Sequence, residues 1–329
     1  MENFKNNPFV KKVGFNRIVL VGVLILMYIV FSVGSGRMLG FGTITTALNY
    51  AYFLGFLALG VTFVIGTGGI DFSIGPVMFC AALIGGRLLT KDGVPTIVAL
   101  LVCILVGCVF GIANGYLVAY LKLPSFISSM ALMMIAKGAG SVFTQTQSVS
   151  WPQLADESGT GWFRNLIKIS VGGTDIPMGL VLLLITAVIC AMILNNTKAG
   201  RYILCLGSNK EAVRLSGVNV KKWEMLAYVL CGTLAGIAAI FYVGVYTTVS
   251  PGLGDTFNNE AIASCVMGGT SMSGGIASIG GSIIGTFIIS FLQAGILAMG
   301  FQKDYQYVIT GIIVLLAVYA DIRSRKRKN

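Results

Sequence analysis

The 329-residue chain contains no histidine, and only 11% of its residues are charged. The first absence removes His-based catalytic triads and the commonest zinc ligand together. The second removes a soluble fold: soluble domains carry roughly 25% charged residues, whereas this chain is 56% hydrophobic with a mean hydropathy of +0.86. So much apolar surface cannot be hidden in a water-facing domain and has to meet lipid, which makes the chain a polytopic membrane protein. No GxxxxGK[ST] run is present to cradle phosphates, so the chain is expected to bind no cofactor and any ATP energy must come from another chain. The seven cysteines form no CxxC pair and six lie in apolar runs, where they read as small buried hydrophobes; no metal site is expected. Nucleophile and base at a plausible spacing are also missing, which argues against a membrane enzyme.

What is abundant is apolar sequence in blocks. After a polar stretch to Arg17, runs fall at about 18–33, 43–67, 71–89, 95–119, 124–144, 177–196, 223–246, 257–273, 275–298 and 305–322. Most approach the ~20 residues a bilayer needs, so the expectation is an all-α protein of about ten transmembrane helices in one transmembrane domain, 1–329. No small-residue cleavage site follows the first run, which is therefore kept as a helix. The excess of 23 Lys and Arg over 12 Asp and Glu could suggest nucleic acid, but the basic residues sit in tails and short gaps, where they orient helices; no nucleic-acid partner is expected. With the N-terminus inside, sixteen of them fall on the cytoplasmic side and six outside, with Lys137 inside the fifth run. That predicts N-in and C-in, cytoplasmic tails at 1–17 and 323–329, an external loop at 145–176 and a cytoplasmic loop at 198–222. The external loop, with Trp151, Pro152, Asp156, Glu157, Gly159 and Trp162, has the make-up of an interfacial segment.

Transporters are often built from two halves of opposite topology with the site between them. Spans two to five and seven to ten can be set against one another as an inverted four-helix repeat, in which span three, from Asp71, matches span eight, from Asn258. Both are polar or glycine-rich where lipid punishes irregular backbone, so both should face protein or water. The likeness of Gly68-Gly69 with Gly75 to Gly268-Gly269 with Gly274-Gly275 is out of register with this repeat and receives no weight. Most of the 43 glycines are expected to let helices approach closely.

Acidic groups inside a bilayer are functional candidates by default, and two qualify, Asp71 and Glu260. Each has a plainer reading, Asp71 as a helix cap near Ser73 and Glu260 as an interface residue. Asn49, Asn114 and Gln293 could hydrogen-bond a polyol or tie helices together. Lys137 could snorkel or pair with a polar group near the external end. In the 198–222 loop, Gly207-Ser208-Asn209 reads as a turn and helix start, Glu211 to Leu215 as a short helix, and Ser216-Gly217 as its stop, a surface element that a cytoplasmic partner could grip.

Three segments carry a resemblance. Gly200 to Val220 is similar to the cytoplasmic loop of the ribose and galactoside ABC-importer permeases. Thr67-Gly68-Gly69-Ile70-Asp71-Phe72-Ser73-Ile74-Gly75 resembles their GGIDLSVG segment, and Glu260 to Gly275 their DAIAAxVxGGTSxxGG segment. Phe72, Ile74 and Glu260 depart from that pattern, Glu260 replacing the commoner Asp. Glu211, Ala212 and Gly217 match the EAA---G spacing of importer coupling loops, although Val213 replaces the second alanine. The resemblance implies a permease homodimer in a bacterial inner membrane, a cytoplasmic ATPase with two nucleotide-binding halves that uses the ATP, and an external sugar-binding protein. It also implies ATPase coupling through Gly207, Ser208, Asn209, Glu211, Ala212, Ser216 and Gly217, and a monosaccharide pathway near Asp71, Ser73, Asn49, Asn114, Asn258 and Glu260. The cargo would be ribose first, with galactose, methyl-galactoside or xylose next. The competing reading is a stand-alone proton- or sodium-coupled carrier using Asp71 or Glu260 as its ion site.

Overall fold

The computed structural model describes residues 15–36, 40–154, 159–171, 174–302 and 304–326. Lys5, Lys11, Lys12, Arg37, Asp156, Glu157, Lys303 and the last three residues lie outside these segments. The chain runs α1 (Phe15–Ser35), α2 (Phe41–Gly66), α3 (Ile74–Thr90), α4 (Thr96–Ala119), α5 (Ser125–Phe143), β1 (Val149–Ser150), a 3-10 helix (Thr160–Leu166), β2 (Ile169–Val171) and β3 (Thr174–Ile176). It continues through α6 (Met178–Asn196), α7 (Lys198–Leu215), α8 (Val220–Val245), β4 (Thr248–Val249), α9 (Asp255–Met267), α10 (Ile279–Ala298) and α11 (Asp304–Lys326). The strands are minor: β1 pairs antiparallel with β4, and β2 with β3.

Helix α2 is the axis of the bundle. Every residue from Tyr50 to Gly66 is buried, which suits a helix that is apolar all round. Helix α4 instead exposes Ile97, Leu101, Leu105 and Val109, four apart and therefore on one stripe, as a lipid-facing helix would. Helices α5 and α6 do the same with Met134, Ile135 and Val142, and with Ile185, Val188 and Met192.

Between α4 and α8 the backbones touch. Gly107 and Gly111 face Gly232 and Gly236, and a Cβ added at Gly107 would stand 2.3 Å from the Gly232 carbonyl oxygen. One added at Gly236 would stand 2.5 Å from that of Cys103. Lipid gives helices no hydrophobic reason to associate, so close small-residue contact supplies the attraction.

The expected ten spans are not what the structure contains. Among the described residues six helices are long and apolar enough to cross a membrane: Gly42–Gly66, Thr96–Ala119, Ser125–Phe143, Met178–Asn196, Val220–Val245 and Ile279–Ala298. The apolar helical stretches Leu20–Ser35 and Ile74–Thr90 are shorter. The run at 257–273 breaks at Gly268 after 13 helical residues, about 20 Å at 1.5 Å per residue. The run at 305–322 belongs to α11, whose first turns carry Asp304, Gln306 and Thr310. The all-helical, polytopic reading stands. The count of ten does not, and the two four-span units and the N-in, C-in assignment that used it lose their basis. The 257–273 run holds Asn258, Asn259 and Glu260 and a glycine break, and neither its polarity nor its helical length suits a full crossing.

The 145–176 segment is also less superficial than its composition suggests. Trp151 is buried and its Nε1 donates to the Ala82 carbonyl oxygen at 3.1 Å, with Phe163 buried beside it, while Trp162 stays exposed.

Overpacking a tight seam costs about 1–3 kcal/mol. Gly232→Val should therefore lower the melting temperature of the detergent-purified protein. Gly138→Val, at a position where an added Cβ would meet nothing within 4 Å, should leave melting unchanged.

Candidate functional site

Two short helices start inside the protein, nose to nose. A Cβ at Gly75, in the first turn of α3, would lie 2.1 Å from the carbonyl oxygen of Gly254, which precedes α9. Phe257 packs edge-on against Phe53 of α2 at 5.2 Å, and Cys265 Sγ donates to the Ala58 carbonyl oxygen at 3.1 Å. Helix α9 therefore runs beside the second half of α2, from mid-length toward the Gly66 end. Its start is at mid-depth, as is that of α3.

Helix starts leave N–H groups without intrahelical partners, and the buried side chains here answer them. Asn258 accepts from Gly75 N at 2.7 Å and donates through Nδ2 to the Phe72 carbonyl oxygen at 2.5 Å, clamping α9 to the start of α3. Asp71 Oδ1 accepts from Ser73 N at 2.8 Å and from Ser73 Oγ at 2.6 Å. Asp71 Oδ2 accepts from Asn114 Nδ2 at 3.0 Å, and Asn114 Oδ1 accepts from Ser128 Oγ at 2.6 Å. Asp71, Ser73, Asn114, Ser128 and Asn258 are all buried. A carboxylate is also favoured at this place by the partial positive charge of a helix N-terminus.

Glu260 forms a separate group one turn into α9. It is 1% exposed, accepts from the Tyr50 hydroxyl through Oε2, and accepts from Gln306 Nε2 through Oε1 at 3.2 Å. This is an interior carboxylate and not an interface one. Asn49 joins neither group: it is half-buried on α2 and makes no side-chain hydrogen bond among the described residues. Tyr50, Gln306 and Ser128 join the site without having stood out in the sequence, although each is a polar residue in an apolar run and carries the same signal as Asn114. Lys137, on α5, pairs with Asp255 at the start of α9.

The 198–222 segment is one helix with a break. Helix α7 bends at Asn209, whose φ of −158° and ψ of 95° are not helical, and Asn209 Oδ1 accepts from Ala212 N at 2.9 Å to start the second piece. Ser216 closes that piece and Gly217, at φ +80°, turns the chain, a conformation that favours glycine. Glu211, Ala212, Ser216 and Gly217 are exposed. Arg214 donates to Glu211 one turn away and holds its carboxyl below the usual range. Lys210 binds Glu224 of α8 through both oxygens, at 2.6 and 2.7 Å.

Just before the bend, Gly207 touches the bundle. A Cβ there would meet the Gly66 carbonyl oxygen at 2.2 Å and Gly275 N at 2.3 Å, and Gly275 N itself donates to Gly66 O at 3.1 Å. The loop at 66–75 that carries Asp71 and the loop at 268–278 that leaves α9 thus meet α7 at one point. The glycine pairs set aside as out of register, Gly68-Gly69 and Gly274-Gly275, belong to this junction.

Each buried polar atom left without a partner costs about 1–3 kcal/mol. Asn258→Ala abandons Gly75 N and the Phe72 carbonyl together, and thermal unfolding should show a large loss of stability. Asn49→Ala should change it little.

Residues 43–318 match the family model described as "Branched-chain amino acid transport system / permease component". The ribose import permease protein RbsC of Escherichia coli strain K12 is 32% identical over 302 residues, which is 92% of each chain. The fructose import permease protein FrcC of Rhizobium meliloti is 30% identical over 306 residues, 92% of this chain and 84% of its own. The xylose transport system permease protein XylH of Haemophilus influenzae is 28% identical over 366 residues, 94% and 96%. No solved structure matches significantly. The resemblance carried by the three motifs is thereby borne out, and with six apolar membrane-length helices among the described residues the chain belongs to this permease family: it is a multi-pass transport subunit and not an enzyme.

Proposed function

We propose that this permease passes a monosaccharide, ribose first and galactose, methyl-galactoside or xylose next, across the plasma membrane of a bacterium. It does so as two copies served by a cytoplasmic ATPase with two nucleotide-binding halves and an external sugar-binding protein. ATP is consumed by the ATPase alone. The observation that carries this reading is the match to ribose, fructose and xylose import permeases over more than nine-tenths of this chain.

The geometry supports a division of labour. The exposed piece of α7, with Glu211, Ala212, Ser216 and Gly217, is the surface the ATPase holds, and Asn209 is its hinge. Ser208 and Gly207 pass the displacement into the loops at 66–75 and 268–278 through backbone contact. The first of these loops leads into the start of α3 and the second leaves the end of α9, so a pull at α7 reaches both short helices and shifts their clamped starts as a pair. Asp71, Ser73, Asn114, Asn258 and Glu260 then frame the opening, with Asn49 at its margin. Their hydroxyls, amides and carboxylates suit sugar hydroxyls, and alternate opening to the two sides is a population shift driven by the ATPase. Tight selection belongs to the external binding protein.

Uptake of radiolabelled ribose, xylose and galactose into vesicles holding permease, ATPase and binding protein should need all three. Uptake by this chain alone under an ion gradient would instead identify a secondary carrier. Glu211→Lys reverses a charge at the proposed ATPase contact and should cut coupled uptake by about tenfold or more, while membrane insertion, followed by protease protection, stays normal.

A further inference from the structure

A cavity of about 750 Å³ opens between the bent end of α7, the start of α8, the end of α4 and the turn at 67–69. Its lining has an imbalance of charge. Four cations, Lys122, Lys210, Arg214 and Lys221, face two carboxylates, Glu211 and Glu224. Both carboxylates are already engaged, Glu224 by Lys210 and Glu211 by Arg214. Among the described residues Lys122 and Lys221 have no carboxylate partner. The Lys221 ammonium lies 5.2 Å from the centre of the Tyr120 ring, a cation–π contact that positions the charge without cancelling it. Two uncompensated positive charges therefore border one concavity: Lys122 follows α4 and Lys221 opens α8.

The floor supplies a second, independent observation. Tyr228 lines the cavity and is fully buried, and its hydroxyl stands against that of Ser125. Ser125 Oγ also accepts from Ile70 N at 3.2 Å, and the two hydroxyls together keep acceptor capacity for the hydroxyl donors of a ligand. A ligand that satisfies this lining carries about two negative charges at one end and hydroxyl groups at the other.

We propose that the cavity is a binding site for a phosphate monoester of a small polyol. Lys122 and Lys221 take the phosphate dianion, and Tyr228 and Ser125 take the hydroxyls. A soluble sugar phosphate offers both ends; the headgroup of phosphatidic acid offers the same monoester phosphate, with ester oxygens in place of hydroxyls. If the transport reading above holds, a bound ligand also bridges α4 to α8 beside the α7 hinge and arrests its movement. The phosphorylated form of a sugar, made by phosphoryl transfer from a nucleotide, would then report that enough has entered.

Binding can be measured without transport, so failure of the transport reading would not obscure the result. The purified permease in phosphatidylcholine nanodiscs is titrated calorimetrically with ribose 5-phosphate, inorganic phosphate and ribose. In a second arm, nanodiscs carry phosphatidic acid or the diester phosphatidylglycerol, and retained lipid is read by native mass spectrometry. The expected result is that one of the two monoesters binds in preference to ribose and to the diester. The double variant Lys122→Ala/Lys221→Ala, both exposed side chains, should weaken that binding by roughly a hundredfold, with melting unchanged. Tyr228→Phe, which removes one hydroxyl and keeps the ring, should weaken ribose 5-phosphate several-fold. The arm that responds identifies the source. No binding in either arm, binding that the double variant retains in full, or ribose bound as tightly as its phosphate would each overturn the proposal.

Discussion

Everything in this bundle turns on two helix starts meeting at mid-depth. A helix N-terminus leaves N–H groups unpaired, and hydrocarbon has nothing to offer them. The chain resolves this by burying both starts in protein and having each supply the other: Asn258 of α9 serves Gly75 N and the Phe72 carbonyl, while Asp71 serves Ser73. The approach is possible because Gly75 and Gly254 have no side chains to keep the backbones apart. Burial of α2 on all sides follows, since the two half-helices and α8, α10 and α6 surround it and exclude lipid. The lipid-facing role passes to α4, α5 and α6.

The same absence of side chains governs how movement can travel. Where Gly66, Gly207 and Gly275 meet, backbone touches backbone, so nothing soft lies between α7 and the two loops. A rotamer change cannot absorb a displacement there, and packed interiors of this density shift as units. The bend at Asn209 lies two residues beyond this contact, which leaves the exposed piece of α7 free to be gripped while the inner piece stays wedged in the bundle.

Much of this is legible in the sequence, because its clearest signals are local. The turn at Asn209, the short piece that follows and the stop at Gly217 come from capping chemistry within a few residues. Asp71 and Glu260 stand out because charge is rare in apolar runs. Span number is not legible from the runs alone, since a run of apolar and small residues does not show where its helix ends, and the one at 257–273 ends after 13 helical residues. Nor are the partners: Asn114 reaches Asp71 across 43 positions and Tyr50 reaches Glu260 across 210, distances over which no spacing rule speaks. The glycine pairs are visible in the sequence but carry no weight there, because a repeat relates positions by register whereas these are related by contact.

Helix α9 gathers these constraints on one short element. Asp255 at its start is held by Lys137 of α5, Asn258 by the loop before α3, Glu260 by Tyr50 and Gln306, and Cys265 by α2, while its last turn leads into the Gly274-Gly275 junction. These attachments differ in strength. The Lys137–Asp255 pair is partly exposed, and exposed ion pairs contribute at most about 1 kcal/mol; the Asn258 and Glu260 contacts are buried and costly to break. A force arriving at the junction end therefore does not draw α9 away from α2 or α3 one contact at a time. It moves α9 and the start of α3 as a pair, and the attachment that yields is the ion pair to α5. The polar starts remain satisfied throughout, which is the condition for any rearrangement of backbone within a membrane.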